Sequence, residues 1–220
     1  MENYSADHQS VVAHSLLDGL TFMFSDYNSV EQYDTIIDYG ENYLNDLSVN
    51  YGITGDYDMD HIDPFFMDIV MNKKLDEYHY MIDLIDENKL FMGKEMDPVN
   101  RANHYFIMGM MEKTIEYWNK AVTEFEKVSA QVFYGNLPKA VEAFTQENRL
   151  IEAVAFLEKS KQILPEEYTL LMNFHIAKVS IDNQVSLEKG LQALEYCKDN
   201  FRKNRIFTMD DLLALKNITM

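Results

Sequence analysis

The sequence predicts an all-α protein, and three observations carry that expectation. Only 8 Gly and 4 Pro serve 220 residues, too few for the tight turns of a β architecture. Apolar residues recur at helical spacing, as in Tyr33, Ile36, Ile37, Leu44 and Leu47. No segment sustains a strict apolar–polar alternation. At 47% hydrophobic and 13% aromatic residues, the chain can bury a core without disulfides or metal.

Helices are expected over about 8–24, 30–49, 64–88, 98–128, 137–146, 148–163, 166–181, 186–203 and 209–217. Start signals place several of them. "SVEQ" at Ser29–Gln32 reads as a capping box, in which Ser29 caps and Gln32 reaches back. Asp63-Pro64 and Asp97-Pro98 each read as an N-cap followed by proline at the first helical position. "TMDD" at Thr208–Asp211 sets acids against the positive end of a last helix. The segments 64–88 and 98–128 are long enough for each to break in two.

The acidic stretch "GDYDMDHIDPFF" invites a calcium reading. Asp56, Asp58 and Asp60 occupy the first, third and fifth positions of an EF-hand loop. The sixth position needs Gly and holds His61; the twelfth needs a bidentate Glu and holds Met67. The stretch is therefore expected to be a turn, helped by Gly52 and Gly55, and a helix start capped by Asp63. No metal site and no cofactor are expected.

A single all-helical domain over 1–220 is expected, with divergent N-terminal helices over 1–96, repeat-like hairpins over 97–205 and a capping helix over 206–220. The repeat is a small residue, a large one four further on and a medium one three beyond. It occurs at Ala121–Phe125–Val128, Ala153–Leu157–Ser160 and Gly190–Leu194–Cys197. Small residues let a neighbouring helix approach and large ones fill the gap. An irregular helical bundle with coincidental spacing is the competing expectation.

The middle unit, "RLIEAVAFLEKSKQILPEE", resembles the second helix of a tetratricopeptide repeat, with Ala153 at the small position, Pro165 closing the unit and Phe144 as the aromatic of the first helix. Where that family prefers Trp, Leu and Gly, this chain has Leu137, Ala140 and Val141. The resemblance implies a tetratricopeptide-like right-handed array of antiparallel helical hairpins. Asn173-Phe174, the turn Asp182-Asn183-Gln184, Gly190 and Phe201 also resemble the C-terminal helical domain of the Rgg/GadR/MutR regulators of Gram-positive bacteria, over about residues 100–205. That resemblance implies peptide-pheromone sensing and transcription regulation (quorum sensing), and a homodimer is expected. The family's N-terminal helix-turn-helix has no counterpart here, so it implies a stand-alone sensor or a regulator without its DNA-binding half.

Carried over position by position, the array pattern puts Asn103, Phe106 and Met110 on a concave groove, with Glu142 and Gln146 from the second unit and Met172 and Ile176 from the third. Adaptable apolar side chains and amides together suit a short hydrophobic peptide or protein segment. Core packing is the competing expectation for "FIMGMM" at Phe106–Met111.

Charge and composition narrow the partners. A net charge of -18 opposes direct nucleic-acid binding and anionic membrane surfaces. An acidic interaction scaffold with no small ligand is the alternative function. One cysteine, Cys197, excludes a disulfide framework. With an N-terminus unlike a signal peptide, a cytoplasmic location is expected. Enzyme signatures are missing: no phosphate loop, Cys-x-x-Cys pair, nucleophile elbow or paired helical histidines. The carboxylates Glu112 and Glu116 lack the Glu-x-x-His units of di-metal bundles. No catalytic residue is expected.

Overall fold

The computed structural model describes residues 32–90, 98–125, 128–201 and 207–218. Among these, ten α-helices and no strand occur. The helices are α1 (Ile36–Tyr51), α2 (Met59–Met71), α3 (Leu75–Asn88), α4 (Pro98–Ile107), α5 (Met111–Thr123), α6 (Ala130–Gln146), α7 (Leu150–Ile163), α8 (Thr169–Asp182), α9 (Leu187–Asp199) and α10 (Met209–Ile218). The helix expected over 8–24 lies outside the described residues. The chain divides into two compact units, residues 1–92 and 93–220.

In the first unit, α1 and α2 both pack on α3. α1 starts later than "SVEQ" suggests. Thr35 is the cap, with extended backbone, and its Oγ1 accepts from Asp38 N at 3.0 Å. Thr35 wins because the helix then buries Ile36, Tyr39, Tyr43 and Leu47 on one stripe. α2 also departs from expectation. Asp58, not Asp63, is the cap, accepting from Asp60 N at 3.0 Å. Starting at Met59 puts Ile62 on the buried stripe with Ile69 and Val70. Pro64 therefore sits inside the helix. It is exposed, as is Asp60 four residues earlier, so the carbonyl that loses its donor faces water.

Tyrosine dominates this core. Tyr39 stacks on Tyr43 at 4.8 Å between ring centres, and Tyr33 meets Tyr39 edge-on at 5.5 Å. The hydroxyls find partners: Tyr33 donates to Asp46 Oδ2 at 3.0 Å and Tyr57 to the Gly40 carbonyl at 2.6 Å. Burial, then hydrogen bonding and charge from Asp46, pushes the Tyr33 phenol above its ordinary range.

The second unit uses smaller residues. The single tryptophan, Trp118 on α5, is fully buried, with Phe133 edge-on at 5.3 Å and Phe156 at 6.0 Å. Ala121, Ala140, Ala143 and Ala153 are all fully buried around this cluster. Of the repeat positions, only Phe125 is partly exposed. α4 packs on α5 and α6, α5 on α7, and α8 on α7, α9 and α10. At Gly190 a Cβ would lie 2.6 Å from Ser180 Cβ, so glycine is what lets α9 approach α8.

Several boundaries match their signals. Pro98 opens α4, although Asp97 lies outside the described residues. Thr208 and Asp211 cap α10 reciprocally: Thr208 N donates to Asp211 Oδ2 at 2.6 Å, and Asp211 N to Thr208 Oγ1 at 3.3 Å. The segments 64–88 and 98–128 do each break, at the left-handed Lys73 and Gly109. α6 begins at Ala130, earlier than expected, because burying Phe133 and Leu137 on one face outweighs the interruption by exposed Pro138.

Candidate functional site

Five of the residues that the sequence points to lie on or next to α4 and α6, which pack against each other. Asn103 and Phe106 lie on α4, and Met110 precedes α5. All three are half-buried. Phe106 packs its ring against the core of the second unit. The Met110 carbonyl accepts from Thr114 N at 2.9 Å and Thr114 Oγ1 at 3.0 Å, which fixes the backbone there. The Asn103 side-chain carbonyl is buried and has no hydrogen-bond donor among the described residues. On α6, Glu142 and Gln146 are exposed one turn apart, and Gln146 Nε2 donates to Glu142 Oε1 at 3.0 Å.

α8 does not add to this face as expected. Met172 and Ile176 are fully buried within the core. The cause is the position of α8 among α7, α9 and α10, which buries residues on every side of it, from Leu170 to Ile181. A helix buried all round has no side to offer a ligand. The surface that remains comes from Asn103, Phe106, Met110, Glu142 and Gln146.

Cations near this face were not singled out by sequence reading. Burial first, then the nearby charges of Lys139 and Arg101, together lower the His104 pKa to about 4. Lys139 Nζ also donates to Asn136 Oδ1 at 3.1 Å. The spacing of Arg101 and His104 by three on α4 was the available signal, masked by the excess of acids. Further along α6, the Tyr134 hydroxyl is 3.3 Å from His175 Nε2. Burial lowers His175 to about 4, helped by Lys178, and raises Tyr134 to about 12.

Elsewhere the reactive groups are already engaged. Glu112 meets Arg149 at 3.4 Å and Glu116 meets Lys113 at 2.8 Å. His61 Nδ1 lies 3.3 Å from the Tyr39 hydroxyl. Cys197 is buried, points its thiol at the Leu170 carbonyl at 3.6 Å and is raised to about 12 by burial. Among the described residues, no group of three His, Cys, Asp or Glu gathers to hold a metal ion. No helix among them is long and apolar enough to cross a membrane. No family model matches this chain, and neither curated proteins nor solved structures return a match.

Proposed function

We propose that the second unit is a tetratricopeptide-like array that binds a short hydrophobic peptide or protein segment on the α4–α6 face. The observation that carries this reading is Asn103: a buried amide carbonyl without a donor, beside the half-buried Phe106 and Met110. Turning of the Asn103 side chain toward the face would let this carbonyl accept a peptide N–H while the apolar neighbours take a side chain. The array itself is supported by consecutive packing, α4 on α6 and α5 on α7, with Ala121, Ala153 and Gly190 buried at the close approaches.

In this reading the chain is the sensor domain of a bacterial transcriptional regulator, cytoplasmic and homodimeric. Peptide binding would favour one arrangement of the hairpins and thereby alter a partner surface. Calorimetric titration of the full chain with short hydrophobic peptides tests it. Saturable heat, weakened about tenfold by Asn103→Ala, is expected. Absence of saturable heat with every peptide overturns the reading. The second reading, an acidic scaffold, is favoured by the net charge of -18. It requires capture of a basic partner that fails steeply as salt rises, whereas an apolar groove binds almost independently of salt.

A further inference from the structure

α7 and α9 both pack on α8, and between them lies a cleft of about 260 Å³. Glu158 and Lys161 line it from α7, Asn173 from α8, and Lys189, Gln192 and Tyr196 from α9. Ala193, also in the wall, is small enough to leave the space open. None of these residues belongs to the α4–α6 face, so a ligand here is independent of peptide binding there.

The floor is built in. Asn173 is only 5% exposed. Its Nδ2 donates to the Thr169 carbonyl at 2.8 Å, and its Oδ1 accepts from Lys161 Nζ at 3.4 Å. One of its two amide hydrogens is therefore left without an acceptor among the described residues. Lys161 Nζ is also 3.2 Å from Glu158 Oε2, so this ammonium is held in place with its charge balanced. Lys189 differs. No ion pair engages it among the described residues. Gln192 reaches Glu188 Oε1 only at 3.4 Å, and Tyr196 keeps 39% of its surface exposed.

Two lysines against one glutamate give the lining a net positive charge of one, in a chain that carries -18. A single negative charge would neutralise it. The volume lies below the roughly 300–1,000 Å³ of drug-sized pockets, which suits a ligand of a few carbons. The geometry points to a site for a small organic carboxylate in this cleft. The carboxylate sits between Lys189 and Lys161, and Gln192 and the spare Asn173 amide hydrogen meet its oxygens or a hydroxyl on its tail. The Tyr196 ring flanks the carbon chain.

The test is titration of the ¹⁵N-labelled full chain with acetate, lactate and succinate at constant ionic strength, with inorganic phosphate as the comparison. Saturable shifts in the amides of Lys189, Gln192 and Tyr196 are expected for at least one carboxylate. Lys189→Gln should weaken that binding about tenfold, Lys189→Arg should retain it, and Lys120→Gln, at a lysine on α5, should leave it unchanged. Lys189 is exposed and unpaired, so its substitution spares the fold, which far-UV circular dichroism checks. Shifts that never saturate, or equal weakening by Lys189→Gln and Lys120→Gln, overturn the site. Saturation by phosphate and by no carboxylate overturns the ligand class.

Discussion

The two units bury helices by different means. The first uses large rings with polar tips, and each tip must be satisfied where it ends up: Tyr33 on Asp46, Tyr39 beside His61, Tyr57 on the Gly40 carbonyl. The second interlocks small residues with a few apolar rings, Ala121, Ala140, Ala143 and Ala153 around Trp118 and Phe133. A tyrosine core tolerates a displaced helix by swinging a ring. An alanine and glycine core has no such slack, because the close approach is backbone against Cβ.

Trp118→Ala should have the largest effect. It empties the centre of the second unit and should cost about 3–5 kcal/mol. Tyr39→Phe in the first unit keeps the ring and loses one hydroxyl bond, which should cost about 1 kcal/mol. Urea unfolding followed by circular dichroism compares the two, and equal losses would break the distinction drawn between the cores.

Acid should come next. His104 and His175 hold folded pKa values near 4 against an ordinary 6.5. Between those values the unfolded chain binds more protons than the folded one, so stability is full above pH 6.5 and declines as pH falls toward 4. The loss should be on the order of a few kcal/mol and should arise in the second unit. His175→Phe should flatten the slope. In the first unit Tyr39 is raised chiefly by burial, so its contribution is lost instead as pH rises past 10. Residue-resolved NMR across pH distinguishes the units; loss in the first unit alone between pH 6.5 and 4 would contradict this.

The smallest effect is the sharpest comparison. A Cβ at Gly40 would meet the Tyr80 hydroxyl at 2.5 Å, and one at Gly190 would meet Ser180 Cβ at 2.6 Å. The distances are alike and the neighbours are not. Tyr80 can turn its ring tip away, and alanine favours the helix by about 1 kcal/mol, so Gly40→Ala should be close to neutral. Ser180 cannot retreat without moving α8, so Gly190→Ala should cost about 1–3 kcal/mol. Thermal melts of the two variants measure the difference, and a Gly190→Ala protein as stable as the parent would refute the interlock.

How far the fold was legible follows from the same physics. Pro98 and the Thr208–Asp211 pair marked helix starts because each has one local solution. The buried small positions Ala121, Ala153 and Gly190 were visible as spacing. The start of α2 was not, because Asp58, Asp60 and Asp63 can all cap, and burial of Ile62 decided among them. Thr35 starts α1 in the same way, through the stripe it buries, while Ser29 of the expected capping box lies outside the described residues. The α8 part of the groove was illegible for a different reason. A helix that is apolar on every side has no periodicity to say which side stays open, so Met172 and Ile176 read as surface or core equally well. Arg101, three residues before His104 on α4, was masked by the surrounding acids, whereas the nearness of Lys139 to His104 depends on α4 meeting α6.

Trp118 has an optical consequence. Its indole N–H is buried and has no acceptor among the described residues, and aromatic edges surround the ring. An indole kept from water and from hydrogen bonds relaxes little after excitation, so it should emit at the blue end of the tryptophan range. Because the chain holds a single tryptophan, that light comes from the second unit alone. Nature has left this protein with a dye already installed beside the α5–α7 contact, and its colour will report when that contact opens.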